Sequence, residues 1–281
     1  VRVRHGKGRR RRRNVRDAGF FQRRLRSLDL AAAHRANHGP DTGLYNLAAV
    51  HSGANQVIPA SGQFDPEEIF ELIALYPGAF FFAAPTMVKR LVEAPCASNA
   101  DTANLKNIIY GGGPMYVADL KAAIALFGYK LGQIYGQGEC PMTITSLTRA
   151  MHRDAPDVRL ASVGVAHSVV EVKVVDEFGN ELPAGSVGEI CVRGDVVMRG
   201  YWQRPEANAS ALRDGWLSTG DVGVFDEDGF LTLKDRVKDL IISGGSNIYP
   251  REVEEVLLLH TAVLEVSVVG RSRRSIRPLR T

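Results

Sequence analysis

The pentapeptide Tyr135-Gly136-Gln137-Gly138-Glu139 joins an aromatic face for stacking, two glycines that let backbone approach a ligand, and a carboxylate able to hold Mg2+. Ser218-Thr219-Gly220-Asp221 reads as a tight turn carrying an acid, which can accept hydrogen bonds from two neighbouring ribose hydroxyls. An Asp there can equally cap the next element. Gly111-Gly112-Gly113-Pro114 is open in the same way, because a glycine run serves a ligand or a tight turn alike. No GxxxxGK[ST] occurs, which excludes a Walker-type phosphate loop. The stretch from Asp235 to Glu255 crowds charges around Leu240-Ile241-Ile242 and the pair Gly244-Gly245.

These residues need elements to hold them. Asp65 is an N-cap candidate with Pro66 at the first helical position, and Ile69, Leu72 and Ile73 repeat at helical spacing. Ala79–Ala84 has the length and apolarity of a buried strand, followed by a helix opening at Pro85. Leu105–Tyr110 predicts a strand, 111–114 its loop and Val117–Phe127 a helix. A further strand, Lys130–Tyr135, runs into a second glycine loop at 136–139. Strands alternating with helices imply a mainly parallel sheet, with ligands at the carboxyl ends of its strands, where both glycine loops fall. From Ser162 the period changes to two, with a hairpin at Val222–Phe225 and Phe230–Leu233, predicting a small antiparallel barrel or sandwich. Strand Leu240–Ile242, a helix from Pro250 to Leu259 and a strand over Ala262–Val269 complete the reading.

The net charge of +4 hides a split. Residues 1–26 carry +11 and residues 271–281 carry +5, leaving −12 on the body between them. A run such as Arg9–Arg13 can neutralise nucleic-acid phosphates, but no aromatics interleave for base stacking, so a like-charge disordered tail is the favoured reading. Three widely spaced cysteines and no CxxC argue for free thiols in a cytoplasmic compartment, and no apolar run is long enough to span a bilayer. His34 and His38 have metal-pair spacing, but Gly39-Pro40 ends any helix there, which disfavours ligation.

Taken in order, GGGP, YGQGE, GEICVRGDVVMRGYW, DGWLSTGD and DRVKDLIISGGSNIYPREVE resemble the adenylate-forming superfamily, and most of all its fatty acyl- and aryl-CoA ligase branch. The resemblance runs from about Gly43 to Gly270. It implies a partial adenylate-forming α/β fold: a basic lead (1–38), a nucleotide- and acyl-binding subdomain (39–160), a β-barrel-like subdomain (161–235), and a hinge with the start of a C-terminal lid (236–281). It implies ATP, Mg2+ and coenzyme A as ligands, with a carboxylic acid activated as acyl-AMP and passed to the CoA thiol. Gly111, Gly112, Gly113 and Pro114 would sandwich adenine with Tyr135. Gly136, Gln137 and Gly138 would lie along AMP, and Glu139 would bind the metal. Asp221 would hold the ribose and Arg236 the ribose and phosphate. Lys238 would be the hinge, Gly244 and Gly245 the border of the pantetheine tunnel, and the segment around Phe81–Met87 part of the acyl pocket.

Three departures bear on activity. Gly138 stands where the family's YGxTE pattern has a hydroxyl, removing one α-phosphate contact. The family's upstream phosphate loop has no counterpart before Gly43, and Lys238 is the last lysine, so the lid's catalytic lysine is missing too. The expectation is a truncated, impaired ligase with slow adenylation, or a non-catalytic AMP- and acyl-binding remnant. Oligomeric state is not legible.

Overall fold

A computed structural model describes residues 28–30, 50–243, 246–258, 260, 263 and 266–270. The Arg9–Arg13 run, His34, His38, Gly244, Gly245 and the basic end 271–281 lie outside the described residues.

The first sheet has seven strands: β1 (Leu28–Leu30), β2 (Asn55–Val57), β3 (Ala79–Ala83), β4 (Leu105–Tyr110), β5 (Leu131–Gln137), β6 (Cys140–Leu147) and β7 (Val165–Ala166), in the order β2-β1-β3-β4-β5-β6-β7. Every pairing from β2 to β5 is parallel, and β6 and β7 are antiparallel additions. Helices α1 (Pro66–Leu75), α2 (Pro85–Glu93) and α3 (Val117–Phe127) cross between the parallel strands. Local chemistry sets their ends. Asp65 accepts from the Glu67 N–H at 3.1 Å ahead of Pro66, and Gly128 stops α3 at φ +69°. Ile69, Phe70 and Ile73 of α1, Leu91 of α2 and Leu120 and Phe127 of α3 close over Phe81, Ile108 and Leu131 in one apolar core.

After the short helices α4 (Arg149–His152) and α5 (Asp157–Leu160), a second sheet forms from β8 (Glu171–Val175), β9 (Gly188–Arg193), β10 (Leu212–Arg213), β11 (Trp216–Phe225) and β12 (Leu231–Arg236). Its order is β10-β11-β9-β8 with β12 also on β11. The antiparallel sheet expected from the two-residue period forms, as an open sheet and not as a closed barrel among the described strands. The ten-residue β11 takes β9, β10 and β12 as partners, while β8 pairs only with β9 among the described strands. Its core contains Val174, Ile190, Val192, Leu217 and Leu231 together with Tyr135, Cys140 and Ile144 of the β5–β6 hairpin. That hairpin therefore belongs to both layers and joins the two sheets.

The chain continues through a one-turn 3-10 helix (Val237–Asp239), the hairpin β13 (Ile241–Ser243) and β14 (Ser246–Ile248), and α7 (Pro250–Leu258). Helix α6 (Pro205–Ala211) precedes β10. The strand expected over Ala262–Val269 is not formed by its described residues 263 and 266–269.

Candidate functional site

One expected turn and half of another prove to be strand. Tyr135, Gly136 and Gln137 lie within β5, which turns tightly at Gly138-Glu139 into β6. A Cβ on Gly136 would run into the backbone of Met142 and Cys140, so this glycine is required by the approach of the two strands. Ser218–Asp221 likewise lies inside β11, at an irregularity between its pairings with β9 where Gly220 takes φ +70°. The bulge, and not a turn, re-aims Asp221 inward.

Asp221 is the hub. Its side chain is only 10% exposed, and a buried carboxylate needs partners. Oδ2 accepts from the Tyr135 hydroxyl at 2.7 Å and from Gln137 Nε2 at 2.6 Å, and Oδ1 pairs with Arg236 Nε at 3.3 Å. Arg236 faces Asp221 directly across the β11–β12 ladder. Thr219 completes the bulge: its hydroxyl donates to the Ile190 carbonyl at 2.8 Å and accepts from the Asp221 N–H at 3.1 Å, while its carbonyl takes Gln137 Nε2. Burial first, then the Asp221 charge, pushes the Tyr135 phenol far above its ordinary pKa, so it is a permanent donor.

This hub opens on a cavity of about 1100 Å³. Gly112, Gly113, Pro114, Tyr135, Gly136, Gln137, Gly138, Glu139, Asp221, Arg236 and Lys238 all line it. Gly111 does not. It is buried, and a Cβ there would meet the Ile134 carbonyl at 2.5 Å, so its role is to let β4 lie against β5. Lys238 is exposed on the 3-10 turn at the cavity wall. Arg251 and Glu254 of α7 line the far side, and Glu254 Oε2 accepts from the Tyr116 hydroxyl at 3.3 Å.

Glu139 projects from the β5–β6 turn. Its Oε1 accepts from the Tyr201 hydroxyl at 2.6 Å, and its carbonyl accepts from the Met198 N–H at 2.8 Å. The hydrogen bond to Glu139 is the main reason the Tyr201 phenol is pushed up to about 12. Sequence reading missed Thr219, Tyr201 and Arg251 as site residues, although all three lie in motifs it singled out. Among the described residues no cluster of three or more His, Cys, Asp or Glu could hold a metal. The single carboxylate of Glu139 on the cavity wall suits a cation that takes the rest of its ligands from phosphate and water, as Mg2+ does with nucleotides.

A mainly parallel open sheet with a cavity lined by the loops that follow β4 and β5 and by the Asp221 hub is the arrangement in which α/β proteins take their ligands. The chain belongs to the AMP-binding enzyme family, whose model matches residues 22–202. It is 38% identical over 221 residues to a medium/long-chain fatty acid–CoA ligase of Mycobacterium tuberculosis, covering 79% of this chain and 38% of that one. Its structure is similar to an amide bond synthetase from Marinactinospora thermotolerans (TM-score 0.77, 36% identity, 86% of this chain and 51% of that one). It is also similar to the o-succinylbenzoate coenzyme A synthetase of Bacillus subtilis in complex with ATP and magnesium ion (TM-score 0.76, 32% identity, 92% of this chain and 52% of that one). The chain thus spans about half or less of the length of these relatives.

Proposed function

We propose that the chain carries the nucleotide centre of an ATP-dependent, AMP-forming acid–thiol ligase acting on a fatty or aryl carboxylic acid. The observation that supports this most is the convergence of Tyr135, Gln137 and Arg236 on Asp221 at the wall of a cavity that also holds Glu139. In this reading Asp221 accepts the two ribose hydroxyls, with Arg236 beside it for the ribose and phosphate. Gly112 to Pro114 and Tyr135 flank the adenine, and the open backbone at Gly136 and Gly138 borders the phosphates. Glu139 would hold a Mg2+ carried by the phosphates, which supplies neutralising charge there.

The acid's carboxylate oxygen attacks the α-phosphorus, the bond to the β-phosphate breaks, and pyrophosphate leaves. The coenzyme A sulfur then attacks the acyl carbonyl, AMP leaves, and the thiol proton passes to solvent. The nucleotide walls would come from 39–160 and 161–235 and the hinge from Lys238 at the start of 236–281, while the thiol entrance expected at Gly244 and Gly245 falls outside the described residues. Free thiols at Cys96, Cys140 and Cys191 support a reducing, cytoplasmic setting. Among the described residues no helix is long and apolar enough to cross a membrane.

Calorimetric AMP binding, combined with mass-spectrometric detection of thioester from supplied acyl-AMP and coenzyme A, tests this. Both signals are expected, and both should fall in Asp221→Asn. AMP binding without thioester from any fatty or aryl adenylate would leave the binding-only reading. A folded chain that ignores AMP would overturn both.

A further inference from the structure

Tyr201 is 62 residues from Glu139 in the chain, yet its hydroxyl reaches Glu139 Oε1 at 2.6 Å. Its backbone is clamped in turn. Asn208 of α6 accepts from the Tyr201 N–H at 2.6 Å and donates to the Tyr201 carbonyl at 3.0 Å. Gly200 permits this approach: it takes φ +142°, and a Cβ on it would come within 3.0 Å of the Asn208 side chain. The bond from the Met198 N–H to the Glu139 carbonyl ties the same strap to the hairpin turn. A surface tyrosine held at both backbone atoms and aimed at one carboxylate oxygen is a built arrangement.

We propose that Tyr201, clamped by Asn208, is a positioning residue that presents the second oxygen of Glu139 to the cation accompanying the nucleotide's phosphates. This rests on the function proposed above. A carboxylate offers two oxygens and about four lone-pair directions, so a phenol on Oε1 leaves Oε2 for a metal. A neutral donor orients the group without cancelling the charge the cation needs, as Lys or Arg would. Holding the carboxylate in advance removes the ordering cost from cation binding, which is how outer partners of metal ligands raise affinity.

The test titrates ATP into the full 281-residue chain by calorimetry, in Mg2+ and in EDTA, with AMP as a metal-free control. Wild type is expected to bind ATP more tightly in Mg2+, and Glu139→Gln to lose that gain. Tyr201→Phe should cut the gain by about 10-fold, the lower end for removing an outer partner of a metal ligand. Its affinity for AMP, and for ATP in EDTA, should not move. Asn208→Ala should act in the same direction with a smaller effect. A Tyr201→Phe variant with the full Mg2+ gain overturns the brace and leaves the proposed function standing. Equal weakening of AMP and ATP with or without metal overturns it in favour of a general folding role. A wild type that binds ATP identically in Mg2+ and EDTA removes Glu139 as a cation ligand and the brace with it.

Discussion

Tyr135 donates its phenol to Asp221 Oδ2 at 2.7 Å across 86 residues of chain, and this bond ties the parallel sheet to the antiparallel one. Tyr135 belongs to β5 and Asp221 to β11, and Tyr135 also packs in the core under the second sheet. Under the proposed function, structure and ligand recognition share one hydrogen bond.

Because that bond is largely buried and made to a charged acceptor, Tyr135→Phe should lower unfolding free energy by about 1.5–3 kcal/mol. Gln137 Nε2 still reaches the same oxygen, so the Asp221 position should survive. Urea denaturation measures the loss, and a change below about 0.5 kcal/mol would contradict a contribution of that size.

Asp221→Ala should weaken AMP binding by about 100-fold, from losing two hydrogen bonds to a charged acceptor at the low end of their range. The same substitution should have little effect on 2′,3′-dideoxy-AMP, which has no vicinal hydroxyls to offer. Calorimetry on the four combinations forms a cycle that isolates the ribose contact. Equal losses for both ligands would show that Asp221 acts elsewhere.

Within the glycine run, Gly111→Ala should be more damaging than Gly112→Ala. At Gly111 the added Cβ meets the Ile134 carbonyl at 2.5 Å, and backbone cannot step aside cheaply, so a loss of about 1–3 kcal/mol is expected. Gly112 has open space and only its φ of +77° to oppose a side chain, at about 1 kcal/mol. Thermal unfolding of the two variants checks the order.

Stability should fall on acidification below about pH 6.5 through His152. Its Nε2 lies 2.9 Å from the Tyr110 hydroxyl and its Nδ1 2.8 Å from the Thr148 carbonyl, an arrangement that suits the neutral ring with Nδ1 protonated. Burial lowers its pKa below 6.5 in the fold. The unfolded chain therefore takes up the proton first as pH falls, and stability is lost from about 6.5 down through the folded value. His152→Gln should be less stable at pH 7.5 and show a shallower loss between pH 7 and 5.5 in denaturant midpoints; an unchanged slope would remove His152 as the cause.

Much of the fold is local chemistry and could be read from the chain. Strand Leu105–Tyr110 and helix Val117–Phe127 form over the spans that apolar spacing and the flanking glycines predict, because core burial and Gly128 act within a few residues. The order of the site motifs is also a property of the sequence. What 136–139 and 218–221 become is not, since glycine-rich peptides have weak strand propensity of their own. Pairing with β6 draws in Gln137, with Gly136 at the register shift beside it, and pairing with β9 and β12 makes Asp221 a bulge residue. Local signals could not report that Tyr135, Gln137 and Arg236 meet at Asp221, or that Tyr201 meets Glu139. Sequence determined which groups were available; only the tertiary structure decided which of them share a buried charge, because the cost of leaving Asp221 unpaired arises only once the two sheets close around it.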